Sequence, residues 1–423
     1  MRLEIICTGD EVLTGKTVNT NFSYMSQKLS DVGLSVRWET TVGDDRESLL
    51  QAFQLASQRA DAVIVNGGLG PTVDDLSQEV AAQAAGVELV LNEEWLVRME
   101  DFFRRRSRVM PPNNRKQAML PVTAEVIDNP IGTACGFALD IGKARFFFTP
   151  GVPRELRRML EEQIIPRLLA KSGLQGIIHL KRFHSYGLGE SHVDSLLTGV
   201  EALVPDGSVK LGFRAHYPQL ETKLTARGAD MEDIRRKLEP VEREIRARLG
   251  NFILGEDDQT LEGVVLAELT ARQASLSIVE MFTSGQIAAR IAHLPGAEAV
   301  FRRGIVARDL AEVRRAVGLE PASPPGELTR ETAEAVTRAA LRHTSATHAL
   351  AVLIDLDQGA DRIEFGGTIC LAIATEKDVA SRRSRILGGR EWVRLGAVEL
   401  GLDCLRRHLQ GLPVYEKTDF EKA

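Results

Sequence analysis

The sequence predicts an α/β protein built from three successive parts. Short apolar runs alternate with longer helical stretches over residues 1–170, which is typical of a parallel sheet covered by helices on both faces. The pattern changes to a small α+β texture at residues 176–255, and a third α/β pattern follows. A chain of 423 residues, 43% of them hydrophobic, is long enough for roughly two to four domains with a core in each.

The first part, residues 1–172, is expected to alternate strands and helices from its first residues. Strands are predicted at Leu3–Cys7, Leu34–Thr41 and Ala62–Val65, and helices at Asn21–Val32, Arg46–Arg59, Leu76–Ala85 and Arg154–Lys171. Parallel sheets bind ligands outside the carboxyl ends of their strands. The loops after Cys7 and Val65 are therefore the first places to look for chemistry.

The rest of the chain is expected to divide into residues 173–256, residues 257–413 and a tail, 414–423. The second part should contain strands Ile177–Phe183 and Glu221–Ala226 and helices Ser191–Thr198 and Met231–Leu249. The third should contain helices Leu261–Arg272, Ser284–His293 and Glu391–Leu409 and strands Ser275–Val279, Ala349–Ile354 and Thr368–Ala374. Residues Pro321–Gly326 form a proline-rich loop within it.

The composition argues against a nucleic-acid coat protein or a membrane-surface protein. The 53 Lys and Arg against 59 Asp and Glu give a formal net charge of −6, so an anionic ligand must be held by a local site. The N-terminal apolar patch is too short for a signal peptide, and no apolar run reaches membrane-spanning length. We therefore expect a cytoplasmic protein with small-molecule ligands and with neither a membrane nor a nucleic acid as partner. The four cysteines should be reduced and mostly buried: Cys7, Cys135, Cys370 and Cys404.

A glycine-rich loop between a predicted strand and a predicted helix is the strongest local signal. Glycine lets backbone approach a ligand closely, and the amides and dipole of a following helix favour an anion. The loop therefore predicts a phosphate cradle, with the binding residues Gly67, Gly68, Gly70 and Thr72.

Two carboxylates are expected beside this cradle. Asp75 and Glu79 are four residues apart and would share one helix face. They would repel a phosphate unless a divalent cation lay between, and Mg²⁺ is bound in that manner. The alternative is that Asp74 and Asp75 only cap the helix.

Three further polar clusters are candidates for the same site. Asp10 and Asp44 each follow a predicted strand and could complete a metal or ribose site, or serve as turn caps. A second cluster suits phosphate through its cations and a base or ribose through its amides, with a solvated loop as the alternative: Asn113, Arg115, Lys116 and Gln117. The turn containing Gly132 and Thr133 is the third.

Assembled in order, these motifs resemble the CinA family of bacterial competence- and damage-inducible proteins. The matching stretches are TGDEVLTGKTVNTN (8–21), VGDD (42–45), GGLGPTVDD (67–75), NNRKQA (113–118), NPIGTACG (129–136) and PGVPRE (150–155). The resemblance implies an N-terminal domain of molybdopterin-binding-like, three-layer αβα fold, a KH-type α+β module that includes Gly187–Ser191, and a C-terminal α/β amidohydrolase-like domain.

The resemblance also implies an activity for the N-terminal domain. The family is reported to hydrolyse the pyrophosphate of ADP-ribose with a divalent metal, of the Mg²⁺ or Co²⁺ class, and potassium. By this resemblance Asp75 takes the position of a metal-associated aspartate and Glu79 that of a glutamate further along the same loop and helix. Arg115 or Lys116 is expected to stabilise charge on the leaving phosphate, which completes the catalytic set, and Asp75, then Asp44 and Asp10, are expected as metal ligands or their support. A homodimer is expected. A pterin nucleotidyl transferase and a non-catalytic nucleotide-binding or interaction protein are the alternatives.

The C-terminal part resembles the family's nicotinamide mononucleotide deamidase domain but departs from it at the chemistry. The positions expected to carry the serine, tyrosine and lysine hold Glu298, Arg308 and Val313, and the glycine loop carries Asp355 and Asp357 instead. Since nucleophilic deamidation needs a hydroxyl and an activating group, this domain is predicted to be inactive. Thr283, Arg390 and Arg394 are predicted to be able to hold a phosphorylated ligand. Residues 1–255 alone should then retain the pyrophosphatase activity.

Overall fold

The computed structural model describes residues 1–173, 176–320, 328–361 and 364–422. The proline-rich loop expected at 321–326 lies outside these residues. The chain divides into two compact units, Met1–His179 and Leu180–Ala423. The cysteines Cys7, Cys135, Cys370 and Cys404 are all free and buried. No described helix is both long and apolar enough to cross a membrane.

The first unit alternates strands and helices, as predicted. Its strands are β1 (Leu3–Thr8), β2 (Val36–Val42), β3 (Ala62–Asn66), β4 (Leu89–Leu91), β5 (Met119–Pro121), β6 (Glu125–Ile127), β7 (Gly136–Ile141) and β8 (Ala144–Thr149). Its helices are α1 (Asp10–Leu13), α2 (Thr20–Asp31), α3 (Arg46–Arg59), α4 (Ser77–Ala85), α5 (Glu93–Arg104), α6 (Pro153–Met159) and α7 (Ile165–Ser172), with a 3-10 helix at Pro112–Ala118.

Six of these strands form one sheet in the order β2-β1-β3-β8-β7-β6. The first four are parallel, and β7 and β6 continue the sheet antiparallel. Every residue of β1 and β3 is buried. One apolar core, which includes Phe53 and Phe148, covers one face, and a second, which includes Met25 and Leu160, covers the other. This is the predicted three-layer arrangement.

The helix predicted at 154–171 is interrupted. A π-helical segment at Leu160–Ile164 separates α6 from α7. Pro166 lies in the first turn of α7, where it has no amide hydrogen to donate to the preceding turn. The wider turn accommodates that proline without ending the helical path.

The second unit begins with the small α+β module. Its elements are β9 (Ile177–Tyr186), α8 (Glu190–Leu196), β10 (Val209–His216), β11 (Gln219–Gly228), α9 (Met231–Leu249) and β12 (Ile253–Glu256). The sheet order is β10-β11-β9-β12. The sequence did not predict β10, which pairs antiparallel with β11 along its whole length.

The rest of the second unit forms another α/β domain. Its helices are α10 (Leu261–Ala271), α11 (Gln286–Ala292), α12 (Ala297–Val300), α13 (Leu310–Ala316), α14 (Arg330–Thr344) and α15 (Arg390–Gln410). Its strands are β13 (Leu276–Met281), β14 (Phe301–Ala307), β15 (His348–Leu356), β16 (Gly366–Ala374), β17 (Val379–Leu387) and β18 (Glu421–Lys422). The sheet order is β14-β13-β15-β16-β17-β18, parallel from β14 to β15 and antiparallel beyond.

The segment expected as a tail, 414–423, is packed where it is described. Val414 and Thr418 are buried, and β18 pairs with β17. Arg382, itself buried, donates to the carbonyl oxygens of Val414 at 2.7 Å and Glu416 at 2.8 Å. Residues 414–422 therefore contribute to the C-terminal domain as a strap along its sheet edge.

Candidate active site

The carboxyl ends of β1, β3 and β8 open onto one cleft of about 470 Å³, which we call the glycine-loop cleft. Its position is the one predicted for a parallel sheet. Its lining includes the backbone of the glycine loop, one turn after β8 and several carboxylates. The lining residues are Thr8, Gly9, Glu11, Asp44, Gly67, Gly68, Leu69, Gly70, Pro71, Asp74, Asp75, Gln117, Thr133, Ala134, Pro150, Gly151, Val152 and Glu155.

Glycine is required by the backbone at two positions of this loop. Gly67 and Gly68 have φ values of 112° and 68°, in the region that L side chains rarely adopt. A Cβ at Gly67 would lie 2.5 Å from the Thr8 hydroxyl oxygen, and one at Gly68 would collide with the Ser77 hydroxyl. The loop therefore packs tightly against β1 and the start of α4.

Hydrogen bonds to its carbonyl groups fix the loop, and three of its amides remain free in the described structure. Ser77 Oγ donates to the Gly67 carbonyl at 2.9 Å, the Ser77 amide donates to the Gly68 carbonyl at 3.1 Å, and Gln117 Nε2 donates to the Leu69 carbonyl at 3.1 Å. Within the described part of the chain, the amides of Gly68, Leu69 and Gly70 make no hydrogen bond. Successive free backbone amides in a turn are an anion-binding arrangement.

Asp75 and Glu79 do not share a helix face, contrary to the sequence expectation. Because α4 begins at Ser77, Asp75 lies in the turn before it. Asp75 accepts hydrogen bonds from the Thr72 amide, at 2.8 Å, and from the Thr72 hydroxyl, and it lines the cleft. It does not cap the helix, since the N-cap position, Leu76, has no side-chain cap.

Glu79 lies outside the cleft, which corrects its assignment as a residue beside the cradle. Its carboxylate pairs with Arg46 and is 3.6 Å from Lys116 Nζ. The first turn of α4 directs Glu79 toward α3 instead of the loop. Of these two carboxylates, Asp75 is the one that lines the glycine-loop cleft.

Asp10 and Asp44 lie together, as expected for residues that follow neighbouring strands. The Asp10 amide donates to Asp44 Oδ2 at 3.2 Å, and the Asp44 amide donates to Asp10 Oδ1 at 3.3 Å. Asp44 and Glu11 line the cleft, whereas Asp10 does not. Burial raises the pKa of Asp44, and the charges of Asp10, Glu11 and Asp74 raise it further against the lowering effect of the Asp10 amide.

The cluster at 113–117 is divided between surface and interior. Asn113 and Arg115 are exposed and do not line the cleft, which removes them from contact with a ligand there. Lys116 Nζ donates to the Thr72 carbonyl at 3.0 Å, so it holds the glycine loop from outside. Gln117 lines the cleft, and its Oε1 accepts from Thr133 Oγ1 at 3.0 Å.

The turn at 129–134 separates the glycine-loop cleft from a second one. Thr133 lines the former, while Gly132 lines a neighbouring cleft of about 910 Å³. Asn129 holds the turn, since its Nδ2 donates to the Ala134 carbonyl at 2.9 Å and to Glu155 Oε2 at 2.7 Å. Of this turn, Thr133 is therefore the side chain placed to contact a bound ligand.

Two residues of the cleft were not predicted from the sequence. Glu155 is half-buried, and burial raises its pKa while the Asn129 hydrogen bond lowers it. Glu155 lies in the PGVPRE stretch (150–155), where the sequence indicates only a family match and the start of the helix predicted at Arg154–Lys171. Thr8 is buried, and its hydroxyl has no hydrogen-bond partner among the described residues. A buried hydroxyl without a partner, at the end of a strand in a cleft, is a feature that a ligand would satisfy.

The donor chemistry of the cleft fits a hard divalent cation. Five carboxylates line it, so its field is negative in the absence of a cation: Glu11, Asp44, Asp74, Asp75 and Glu155. The described residues contain no group of three or more His, Cys, Asp or Glu side chains arranged to hold a metal. Mg²⁺ needs no such group, because it is usually held by one or two carboxylates together with phosphate oxygens and water.

A second candidate site lies in the C-terminal domain, where the carboxyl ends of β13 and β15 open onto a cleft of about 920 Å³. Its lining includes Phe282, Ser284, Arg308, Asp355 and Arg390. Ser284 Oγ donates to the Phe282 carbonyl at 3.4 Å, and no base contacts it within the part of the chain described. The cleft has a hydroxyl but not the activating group that a nucleophile needs.

Several residues expected in this second cleft are elsewhere. Thr283 is fully buried, and its hydroxyl donates to Glu280 at 2.6 Å. Arg394 pairs with Glu391 and does not line the cleft, which leaves Arg390 as the residue of that group that lines it. Glu298 is exposed on α12 and Val313 is in the core, so neither faces the cleft.

Comparison with known families follows the same three parts. Residues 4–170 match the family described as "Probable molybdopterin binding domain", residues 181–255 the "Damage-inducible protein CinA KH domain", and residues 258–409 the "CinA C-terminal domain". Fold and site thus define a protein in which a molybdopterin-binding-like α/β domain precedes a KH module and a second α/β domain. The chain belongs to the CinA family.

Relatives match along nearly the whole chain. The chain is 37% identical over 416 residues to a CinA-like protein of Shewanella amazonensis, covering 97% of this chain and 96% of the relative. It is also 37% identical over 413 residues to the protein of Shewanella oneidensis named nicotinamide-nucleotide amidohydrolase PncC, with the same coverage. A solved structure of the protein CinA from Thermoplasma acidophilum is 32% identical, with a TM-score of 0.36, and covers 40% of this chain and 96% of its own.

Proposed function

We propose that the glycine-loop cleft hydrolyses the pyrophosphate of ADP-ribose, or of a related nucleoside diphosphate compound, with a divalent cation. The observation that carries this proposal is the pairing, in one cleft, of unbonded loop amides with five carboxylates. The amides suit a phosphate, and the carboxylates suit a cation that neutralises it. A phosphate alone would explain the free amides but not the carboxylates, and a cation alone would explain the carboxylates but not the amides.

The chain's own residues have distinct parts in this reaction. The amides of Gly68, Leu69 and Gly70 bind phosphate oxygens and stabilise charge that develops on them. Lys116 and Gln117 hold the loop carbonyls, so that the amides keep their direction without rearrangement. Thr8 supplies a hydroxyl, the one polar side chain of the cleft whose buried oxygen has no partner in the described structure.

The cation would be held by Asp75 and Asp44, with Asp10 supporting Asp44 through its backbone amide. When bound, a divalent ion neutralises phosphate charge and lowers the pKa of a bound water. The Mg²⁺ or Co²⁺ class fits the oxygen donors. Potassium and a homodimer remain part of the proposal through family resemblance alone.

A panel assay tests the proposal. The purified protein would be incubated with ADP-ribose, other dinucleoside pyrophosphates and a pterin plus nucleotide, each with one divalent metal in turn. Products are read as phosphate monoesters, nucleotidyl adducts and released ammonia. Metal-dependent AMP formation from ADP-ribose supports the proposal. Transfer of a nucleotide to the pterin would favour the transferase alternative, and the lack of any product would favour a binding or interaction protein.

For the C-terminal cleft we infer that deamidation of nicotinamide mononucleotide is absent, although one relative is named for an amidohydrolase. Within the described residues the Ser284 hydroxyl donates to a carbonyl and no base contacts it, and Arg308 stands in place of the expected tyrosine. A hydroxyl without an activating base leaves little beyond substrate positioning to accelerate the reaction.

This inference predicts no ammonia release from nicotinamide mononucleotide above the uncatalysed background. The measurement is a coupled ammonia assay with the full-length protein, and Ser284→Ala provides the matched variant. Turnover of about 1 s⁻¹ or more, as for an ordinary enzyme, would show that other residues carry the reaction. If Ser284→Ala removed that turnover, the serine would be the nucleophile.

A further inference from the structure

A basic cleft of about 620 Å³ lies at the outer edge of the C-terminal sheet, apart from both sites above. It is bounded by β17, by the strap at 414–422 and by the first residue of α14. Five cations line it against one carboxylate, Glu421, on a protein whose net charge is −6. The cations are Arg330, Arg382, Arg383, Arg385 and Lys417.

Two of the five cations are neutralised within the domain. Arg382 pairs with Glu421 and donates to carbonyl groups of the strap, and Arg385 makes two hydrogen bonds with Asp357, at 3.0 and 2.6 Å. These ion pairs fix the walls of the cleft. The positive potential inside it then comes mainly from the other three cations.

The other three cations have no carboxylate partner within the described residues 1–173, 176–320, 328–361 and 364–422. Arg330, Arg383 and Lys417 are all exposed, and they reach the cleft from a helix, a strand and the strap. Three unpaired cations converging from separate elements repel one another, and a bound anion with several charges would relieve that repulsion. Guanidinium groups form paired hydrogen bonds with phosphate oxygens.

An aromatic ring stands beside these cations. Tyr415 lines the same cleft and is 62% exposed, which is high for an aromatic side chain. Thr368, on β16, also lines the cleft. A flat ring next to a cluster of phosphate-binding cations is the combination that recognises an aromatic base joined to phosphates.

We propose that this cleft is a binding site for a free nucleotide with two or more phosphates, held by Arg330, Arg383 and Lys417 with its base on Tyr415. This site is separate from the glycine-loop cleft, and its existence does not depend on the proposed hydrolysis. The alternative is that the cations only keep the edge strand from pairing with another sheet.

The test measures binding of ADP and of inorganic pyrophosphate to the full-length protein by titration calorimetry, with EDTA present to exclude cation-dependent binding at the glycine-loop cleft. Both probes are expected to bind the wild-type protein. The double variant Arg383→Ala/Lys417→Ala should bind each at least tenfold more weakly. Arg303→Ala, an exposed arginine on β14, is the matched control and should bind as the wild type does. Thermal unfolding checks that each variant is folded.

A second variant isolates the base. Tyr415→Ala should weaken ADP binding about fivefold or more and leave pyrophosphate binding unchanged. The proposal is overturned if neither probe binds at millimolar concentration, or if the double variant binds as the wild type does. Equal loss of ADP and pyrophosphate in Tyr415→Ala would overturn the nucleotide assignment, as would tighter binding of a short RNA than of ADP.

Discussion

Two neighbouring carboxylates, Asp75 and Glu79, have different fates because of where one helix begins. Asp75 remains in the turn, accepts the Thr72 amide and faces the cleft, whereas Glu79 turns to Arg46. The sequence placed both beside the glycine loop but could not give the direction of either side chain. Because α4 begins at Ser77, two residues after Asp75, one carboxylate stays in the turn at the site and the other forms a surface ion pair.

At the same scale, the buried hydroxyl of Thr8 gives a prediction that separates a ligand contact from a structural one. Thr8→Val removes a hydroxyl that has no protein partner, so stability should be unchanged or higher by up to about 1 kcal/mol. The KM for ADP-ribose should rise about fivefold, the value of roughly one hydrogen bond. Denaturant unfolding and steady-state kinetics measure the two effects.

Thr149→Val is the matched comparison. Thr149 is also buried in this domain, but its hydroxyl donates to the Val65 carbonyl at 3.2 Å and accepts from Asn66 at 3.1 Å. Its replacement should cost about 1–3 kcal/mol, because the Asn66 donor is left unsatisfied. A Thr8→Val variant that lost as much stability would show that the Thr8 hydroxyl is structural.

Among the helices and strands, the sequence predicted the bounds of a helix correctly where a capping residue precedes an apolar stripe. Helices Arg46–Arg59 and Met231–Leu249 have the predicted bounds, and each begins after an aspartate whose side chain accepts from a first-turn amide. Strand β10 was missed although Val209, Leu211, Phe213 and Ala215 alternate with polar residues and a glycine, which is the period of a half-buried strand. It is an edge strand, and half of its residues are exposed. Its pairing with β11 is a tertiary property.

The candidate site also has a part that the sequence could predict and a part that depends on the folded structure. Parallel strands carry their carboxyl ends to one edge, so the loops after β1, β2 and β3 could be placed from the sequence. Which side chains of those loops enter the cleft depends on local turns. Arg115 and Gln117 lie two residues apart in one 3-10 helix, yet one is exposed and the other is buried beneath Leu69.

An ion cluster where β9, α9 and β12 meet gives a prediction for pH. The Arg246 guanidinium, with Lys181, lowers the pKa of Glu256 to about 2 against the opposing effect of burial. A carboxyl whose pKa is lower in the folded state stabilises it above the unfolded pKa, and that stabilisation is lost as the pH falls toward 2. A shift of this size corresponds to roughly 3 kcal/mol before screening by solvent, so the measured effect should be smaller.

Glu256→Gln should therefore destabilise the second unit most above about pH 5, and the difference from the wild type should narrow as the pH falls from about 4.5. Urea unfolding at several pH values measures it. Glu242→Gln removes the other carboxylate of Arg246, at 2.7 Å, and is the control with a small effect expected. A Glu256 effect that did not change with pH would show that packing, and not charge, accounts for it.

At the scale of the whole molecule, the described contacts divide the chain at residue 179 and not at 255. The KH module contacts the C-terminal domain at several points: the rings of Tyr217 and Trp392 lie tilted with centroids 3.8 Å apart, and Arg406 donates to the Asn251 carbonyl at 2.7 Å. A fragment ending at residue 255 would also truncate β12, the fourth strand of the module sheet. That fragment is therefore a poor test of where the activity lies.

A fragment of residues 1–173 is the better test, because it keeps both cores of the first sheet and ends at Gly173, the αL residue after α7. It should fold and hydrolyse ADP-ribose at a rate comparable to that of the full chain, since every group assigned to the reaction lies before residue 156. Circular dichroism and the same activity assay measure this. A folded but inactive fragment would show that the second unit contributes to the site.

The proposed reaction requires the glycine-loop cleft to act on a pyrophosphate through a cation held at Asp75. The most direct measurement is ADP-ribose turnover by wild type, Asp75→Asn and the exposed control Asp140→Asn, each titrated with Mg²⁺. Asparagine can still accept the Thr72 amide, so only the charge is removed. Asp75→Asn should lower turnover by about 100-fold or more at saturating Mg²⁺, and Asp140→Asn should match the wild type. Turnover by Asp75→Asn at the wild-type rate, or wild-type turnover that persists in EDTA, would contradict the account.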